Sequence, residues 1–410
     1  MTQIEQQYRR WEGSHEGIWR RRWVIAGGML QGCLKMKWLQ RLVAGCWIAA
    51  LGQVILLFFY SQLVDSTSAV ADWLGADDEG FAMLIFSLEM LIKQNPELAV
   101  SVPWKIVFGF YSLMLFWPTM LVLTVAVPRI ISVDLSSNAI VLYASKAVSR
   151  WDYLLGKLGA VAGLIMLTWV GPILFAWLGG NLLAPSWKFF WLTREALFSS
   201  ITFGLVGLGF LAVLTLGISA LSPNGKVVTF AWLALWLLGW GMEAPAEATR
   251  TEWMRHLSFR YNLSQVHTRV FSPGDTFDKL STFRNREGEV SPLVRPMRVF
   301  TRMQNRELRW ADRRARRRVY EEMNEQNPEY EQETERLVNL ETDEERQEEI
   351  RMEREDARDE FRRELRGKIR KEEEAAVIVR QARHFQGALV WLGLLMALSC
   401  GVIYLRLRPQ

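Results

Sequence analysis

The chain has 410 residues, of which half are hydrophobic and 23% are charged, and its formal net charge is only +5. Apolar residues fill 42–242 and 385–405 and a highly charged stretch separates these runs, which excludes a single soluble globule or a collagen-like chain. Three scattered cysteines exclude a disulfide scaffold, and arginines beside apolar segments favour membrane topology over nucleic-acid binding.

Residues 1–41 are predicted to be a cytoplasmic N-terminal segment that contains an amphipathic helix. The stretch Ile18–Trp38 mixes tryptophan and aliphatic residues with arginine and lysine, which is typical of a helix lying in the membrane interface. The alternative is an extension of the first membrane span, but Lys35, Lys37 and Arg41 interrupt a continuous apolar run. No cleavable signal peptide is expected, because the segment is polar and basic.

Six segments approach the length of about 20 apolar residues that a helix needs to cross a bilayer. None contains an ionised side chain, as lipid requires, and this argues against a proton-coupled carrier or pump. The fifth is about 16 residues long and would borrow flanking residues or thin the bilayer. The predicted spans are Leu42–Leu63, Ile106–Val127, Gly159–Gly180, Leu197–Leu221, Val227–Met242 and Ala388–Leu405. We therefore expect an all-α polytopic membrane protein with six transmembrane helices.

Lysine and arginine in the short flanking segments set the orientation of such a protein. The N-terminal segment, the 128–158 loop and the tail within 388–410 are basic, whereas the 64–103 loop is mostly acidic. All these segments agree with cytoplasmic N- and C-termini. We expect a multi-pass protein of the plasma membrane, here the bacterial inner membrane.

A long polar insert, residues 243–387, lies between spans five and six and is expected on the extracytoplasmic side, because long loops translocate largely regardless of charge. Its second part, 301–384, pairs opposite charges at four-residue spacing, which indicates long helices. Asn327-Pro328 predicts a break, and a capping-box pattern at Thr342 predicts a second helix. We expect a helical hairpin whose arms are roughly 60 Å long.

The alternative for 301–384 is a partly disordered charged tether. Its apolar positions do not keep a heptad over three or four repeats, so the sequence supports a long coiled coil poorly. Nucleic-acid binding through Arg313–Arg318 is disfavoured, because acidic residues flank this single helical turn and the expected compartment is wrong.

The chain lacks the motifs that would make it an enzyme by itself. Gly225-Lys226 has neither the preceding glycine nor the following hydroxyl of a phosphate-binding loop. His256 and His267 are expected to have packing or surface roles, since no third metal ligand is evident. We therefore expect no catalytic residue, no metal and no directly bound cofactor.

The segment between spans two and three is the most specific part of the sequence. Over 134–158 it reads DLSSNAIVLYASKAVSRWDYLLGKL. It resembles the corresponding loop of ABC-2 type transporter permeases, where an acidic residue precedes a stretch like SNAL-LY-S-P-SR-DY-LGK. The six-span layout and the basic helix before span one are also similar to that family. The resemblance covers 18–242 and the last span, and Ala147 stands where the family usually has proline.

The resemblance implies the membrane subunit of an ABC exporter, in which separate ATPase subunits use the ATP and a second permease subunit, identical or related, completes the pair. The 128–158 loop would dock on the ATPase and couple its closure to the spans. A rival interpretation is a non-transporting membrane scaffold that docks an extracytoplasmic partner through the insert. The coupling residues that the resemblance implies are Asp134, Leu135, Asn138, Leu142, Tyr143, Ser145, Lys146, Val148, Ser149, Arg150, Trp151, Asp152, Tyr153, Gly156 and Lys157.

Overall fold

A computed structural model describes residues 17–64, 96–139, 149–242, 252–272, 306–340 and 344–407. Every regular element within those ranges is a helix, which confirms the predicted all-α class. In chain order the helices are α1 (Ile18–Leu34), α2 (Lys37–Val64), α3 (Pro96–Ile130), α4 (Ser132–Ser136), α5 (Arg150–Ile165), a π-helix (Met166–Val170), α6 (Gly171–Leu182), α7 (Lys188–Leu192), α8 (Arg194–Ala220), α9 (Gly225–Gly241), α10 (Glu252–His256), α11 (Phe259–Phe271), α12 (Arg306–Leu340) and α13 (Glu344–Arg406).

Five of the described helical segments are long and apolar enough to cross a membrane, which is compatible with a multi-pass membrane protein. They contain the predicted spans one to four and six, apart from Leu221 at the end of span four, and they correspond to α2, α3 with α4, α5 with α6, α8 and the C-terminal part of α13. The predicted fifth span coincides with α9, which is apolar but has only 17 residues. Six spans and the side of the membrane on which each loop lies therefore stay predictions.

Helix α1 is separate from α2, because a turn at Lys35 and Met36 divides them. Trp19 and Trp23 of α1 are exposed, whereas Cys33 at its end is buried. The chain therefore does not continue the first span backwards as one helix. A position for α1 in the membrane interface remains an expectation from its composition.

Helix α8 lies at the centre of the apolar core, where it packs against α3 and α13. Glycines allow the close approach: a Cβ at Gly217 would lie 2.5 Å from the Cβ of Ser399 on α13. A Cβ at Gly207 would lie 2.7 Å from the ring of Trp169. Small residues at such crossings are what membrane helices use to bring their backbones together.

The predicted third span is interrupted by the five-residue π-helix between α5 and α6. The amide of Gly171 donates to the carbonyl of Met166, five residues back, and Pro172 has no N–H to continue this pattern to Leu167. The indole Nε1 of Trp47, on α2, donates instead to the Leu167 carbonyl at 3.0 Å. The neighbouring helix therefore satisfies a backbone group that the π-helix leaves unpaired.

A second proline, Pro103 inside α3, also leaves a backbone carbonyl without its helical N–H donor. This carbonyl belongs to Ala99, one helical turn before the proline. The hydroxyl of Tyr60, on α2, donates to the Ala99 carbonyl and so replaces the missing backbone donor. Helix α2 thus contributes a side-chain donor beside proline breaks in two different spans. In lipid, such substitution is what makes an interior proline tolerable.

Helices α12 and α13 pack side by side through Ala315, Val319, Leu365 and Ile369. Arg318 forms an ion pair with Glu372 at 3.3 Å, and farther along α12 Glu333 forms one with Arg354 at 3.0 Å. Because residue numbers rise on α12 while they fall on α13, the two helices are antiparallel. The capping-box position Thr342 lies outside the described residues.

The predicted break at Asn327-Pro328 is wrong, because α12 continues through Pro328. Pro328 is exposed, so water can hydrate the carbonyl that loses its helical donor. Packing on the C-terminal side also holds the helix, since the hydroxyl of Tyr330 donates to the carbonyl of Arg354 on α13. Helix α13 itself runs without interruption from its charged half into the predicted sixth span.

Candidate functional site

The structure describes two parts of the predicted coupling loop, α4 with its following turn and the start of α5. Ten of the predicted coupling residues lie there: Asp134, Leu135, Asn138, Ser149, Arg150, Trp151, Asp152, Tyr153, Gly156 and Lys157. Five lie outside the described residues: Leu142, Tyr143, Ser145, Lys146 and Val148.

Ser149 and Asp152 fix the start of α5. The hydroxyl of Ser149 accepts the backbone N–H of Asp152 at 3.1 Å, and it donates to Oδ2 of the same residue at 2.6 Å. This is a capping arrangement with an acid three residues after the cap, where the helix dipole favours a negative charge. The first turn of α5 is therefore held in one geometry by its own sequence.

The other carboxylate oxygen of Asp152 joins α5 to α1. Nε of Arg22 donates to Asp152 Oδ1 at 2.7 Å, and the Arg22 guanidinium lies 5.0 Å from the centre of the Trp19 ring. The Asp152 side chain is only 8% exposed, which strengthens its charge–charge contact. The N-terminal helix and the coupling segment thus form one body at this point.

A second ion pair joins α4 to α5. Lys157 Nζ lies 2.6 Å from Asp134 Oδ2, and the hydroxyl of Tyr153 donates to the same oxygen at 2.7 Å. Both charged side chains are largely buried, at 7% and 13% exposed. A buried pair with an additional hydrogen bond resists separation, because removing either partner leaves an uncompensated charge.

Gly156 lies between these two ion pairs and faces α1 directly. A Cβ at this position would lie 2.8 Å from the Cβ of Ile25 and 3.1 Å from the carbonyl of Arg22. Gly159 and Gly163, farther along α5, face Ala26 and Leu30 of α1 at 3.5 Å. A glycine row on α5 therefore packs against the middle of α1, from Arg22 to Leu30, and Gly156 has a packing role.

Helix α4 is tied to the core by Ser219 of α8. The Ser219 hydroxyl accepts the backbone N–H groups of Ile131 at 2.8 Å and Ser132 at 3.3 Å. Leu135 packs against the apolar core, whereas Asn138 is exposed and has a φ of 54°. Asparagine tolerates this left-handed conformation better than most residues.

The predicted coupling residues therefore divide into two groups. Asp134, Leu135, Asp152, Tyr153, Gly156 and Lys157 face inward and hold α1, α4 and α5 together. Asn138, Ser149, Arg150 and Trp151 are exposed. Trp151 stands out within this outward group, since 73% of its surface is accessible.

Sequence reasoning missed the inward partners Arg22, Ile25 and Ser219. Arg22 counted only as one of several basic residues in α1, and nothing in the sequence pairs it with an acid 130 residues away. The Ser149–Asp152 cap, by contrast, has a recognisable sequence pattern.

The two histidines weighed as metal ligands lie in different contacts. His267 Nε2 lies 2.9 Å from the carbonyl of Gly109, so this nitrogen carries the proton, and burial lowers the pKa of His267 to about 4. His256 Nδ1 lies 2.8 Å from Oδ1 of Asn262. Among the described residues, no three side chains are grouped as metal ligands.

Comparison with protein-family models, curated proteins and solved structures gave no match to this chain.

Proposed function

We propose that the chain is the membrane-spanning permease subunit of an ABC-2 type exporter. The observation that carries this proposal is the exposed pair Arg150 and Trp151 at the first turn of α5. This pair belongs to the segment that resembles the permease coupling loop. Arginine and tryptophan are the residue types that most often dominate protein–protein binding energy when they are buried by a partner.

The ion pairs that hold the start of α5 in place suit a site on which a partner protein exerts force. Asp152 is bonded to Arg22 of α1, and Lys157 to Asp134 of α4. Displacement of the exposed pair would therefore move α1, α4 and α5 together. Because α5 begins the predicted third span, closure of an ATPase beneath it would reach the membrane helices.

In this proposal the chain binds no cofactor and hydrolyses no ATP. A separate ATPase subunit supplies the energy, and a second permease, identical or related, completes the transport path. Both termini lie in the cytoplasm of a bacterial inner-membrane protein, as the basic flanking segments favour. Export is the direction that the family resemblance implies.

The test is affinity purification of the tagged chain in mild detergent, followed by an ATPase assay of the co-eluting proteins. The double variant Arg150→Glu with Trp151→Ala is expected to lose the co-eluting ATPase. The matched control is Trp187→Ala, which removes an equally exposed tryptophan near the opposite end of the same candidate span. The exporter proposal fails if the wild-type chain brings down no ATPase, or if the double variant retains it.

A second candidate function is a non-transporting scaffold that docks an extracytoplasmic partner. The observation that favours it is the α12–α13 pair, whose charged surfaces are mostly exposed and which the helix of the last span continues into. Deletion of 301–384 separates the candidates. A scaffold would lose its partner, whereas an exporter would keep its ATPase.

A further inference from the structure

When the two candidate spans on either side of α7 cross the membrane, α7 lies at a membrane boundary whichever way the chain is oriented. It connects α6, which ends one candidate span at Leu182, to α8, which begins another at Arg194. The coupling segment lies at the other end of the α5–α6 span. Residues between these two spans therefore lie near the headgroups of the leaflet away from the coupling segment.

The exposed surface of this connection combines tryptophan with positive charge. Trp187 and Trp191 are 79% and 70% exposed and are one helical turn apart, so they lie on the same side. Lys188 and Arg194 are also exposed, and the Arg194 guanidinium lies 4.0 Å from the centre of the Trp191 ring. We refer to Trp187, Lys188, Trp191 and Arg194 as the α7 platform.

A buried polar network holds the connection rigid beneath the platform. The Thr193 hydroxyl accepts a hydrogen bond from Trp177 Nε1 at 3.1 Å and lies 3.1 Å from Oδ1 of Asn181. The Asn181 amide donates to the carbonyl of Trp177 at 2.9 Å. The chain segment that carries α7 is thus closed at its base by three side chains from α6 and the start of α8.

Aromatic packing also orders Trp187, the first residue of the α7 platform. The Trp187 ring stacks on Phe190 with centroids 5.2 Å apart, and Phe190 packs edge-on against Trp177 at 5.3 Å. The exposed tryptophan therefore rests on a fixed base. A surface ordered before binding loses little entropy when a ligand binds to it.

The two cations of the platform are not neutralised by acids within the described residues. The nearest acid in sequence, Glu195, lies 3.5 Å from Lys105 of α3. Arg194 contacts the Trp191 ring instead, and Lys188 makes no ion pair in the described ranges. Within the described residues, the platform thus carries two exposed positive charges without an acidic partner, and one of them lies against an aromatic ring.

We propose that the α7 platform binds the headgroup phosphate of an anionic phospholipid. Lys188 and Arg194 would contact the phosphate oxygens, as guanidinium and ammonium groups commonly do. The rings of Trp187 and Trp191 would lie at the depth of the headgroups, where tryptophan is favoured because it is apolar with one N–H donor. Binding of a phospholipid would remove these tryptophan rings from water, whereas binding of inorganic phosphate would leave them exposed to water. The exposed tryptophans therefore favour a lipid over free phosphate as the ligand.

The test is thermal unfolding of the purified full-length chain in detergent, titrated with phosphatidylglycerol or with phosphatidylcholine. We expect stabilisation by phosphatidylglycerol at lower concentration than by phosphatidylcholine. In the double variant Lys188→Gln with Arg194→Gln, the half-maximal concentration of phosphatidylglycerol should rise roughly tenfold or more, since each basic residue adds to anionic-lipid binding.

The matched control is Arg20→Gln with Arg21→Gln, which removes two exposed cations beside the exposed tryptophans of α1. This control should change phosphatidylglycerol binding much less than the platform variant does. Equal effects of both double variants would mean general surface attraction and would overturn the proposal. Equal stabilisation by inorganic phosphate would overturn it too, because the ligand would then not be a lipid.

If the double variant does not purify as folded protein, Arg194→Lys gives the decisive comparison. It keeps the charge but loses the planar contact with Trp191 and should bind phosphatidylglycerol more weakly than the wild-type chain. Unchanged binding by Arg194→Lys and by Lys188→Gln would refute the platform. None of these measurements depends on an ATPase partner.

Discussion

Arg22 on α1 and Asp152 on α5 are joined by a 2.7 Å ion pair across 130 residues of sequence. The contact places an N-terminal helix directly on the segment that we propose as a coupling loop. Because Asp152 also belongs to the cap of α5, the same carboxylate fixes both the start of one helix and the position of another.

Arg22→Gln should loosen α1 without unfolding the membrane core. Loss of one charged hydrogen bond to a largely buried carboxylate costs about 1.5–3 kcal/mol. We expect faster amide hydrogen exchange across α1 and the first turn of α5, and unchanged exchange in α8. Arg20→Gln, on the exposed side of α1, is the control. Equal exchange in both variants would contradict a specific contact with Asp152.

Lys157→Met should destabilise the protein more than Arg22→Gln does. It removes the ion-pair partner of the largely buried Asp134, which keeps the hydrogen bond from the Tyr153 hydroxyl, and breaking a buried pair costs about 3–5 kcal/mol. The double variant Asp134→Asn with Lys157→Met should recover part of this loss, because no buried charge remains. Unfolding midpoints in detergent of Lys157→Met, Asp134→Asn and the double variant measure these effects. A double variant whose loss equals the sum of the two single losses would argue against coupling.

Gly171→Ala should disrupt the π-helix in the predicted third span. The added Cβ would lie 2.6 Å from the Met166 carbonyl, which is backbone and cannot move aside cheaply. We expect a lower unfolding temperature. Gly209→Ala on α8 is the control, since nothing lies within 4 Å of its Cβ and alanine favours a helix by up to about 1 kcal/mol. A neutral Gly171→Ala would show that the π-helix is not needed.

Because of His267, the free energy of unfolding should decrease as the pH is lowered. Its pKa in the folded protein is about 4, below the ordinary value of 6.5, so the unfolded chain takes up a proton first between these values. Stability from this group is complete above about pH 6.5 and decreases towards pH 4. His267→Gln keeps a donor for the Gly109 carbonyl and does not titrate, so it should show a smaller loss of unfolding temperature on acidification. An identical loss would assign the effect to other groups.

Apolar patterning predicted the helical class and the positions of the apolar segments, because a membrane helix must bury every backbone polar group within itself. The same patterning does not reveal that Gly171 and Pro172 belong to a π-helix, since that depends on the indole of Trp47 from another helix. Pro328 was misinterpreted for a related reason. Local rules predict that a proline breaks a helix. Helix α12 tolerates Pro328 because this residue is exposed and because α12 contacts α13 both before and after it along the chain.

The candidate site was predictable only in part. The pattern of Ser149 and Asp152 is typical of a helix start, and the stretch around Arg150 is the basis of the proposed coupling role. Which coupling residues face outward was not predictable, because it depends on the partners Arg22 and Ser219 from distant helices. Gly156 shows this best, since its importance comes from the closeness of Ile25 and not from any chemistry of its own.

The continuity of α13 has a mechanical consequence. From Glu344 to Ala388 the helix extends for about 65 Å before the predicted sixth span begins. A tilt of the membrane half by only about 5° would therefore sweep the far end through about 6 Å, if the helix stays straight. A small reorientation of the predicted sixth span would therefore become a displacement of several ångströms at the N-terminal end of α13.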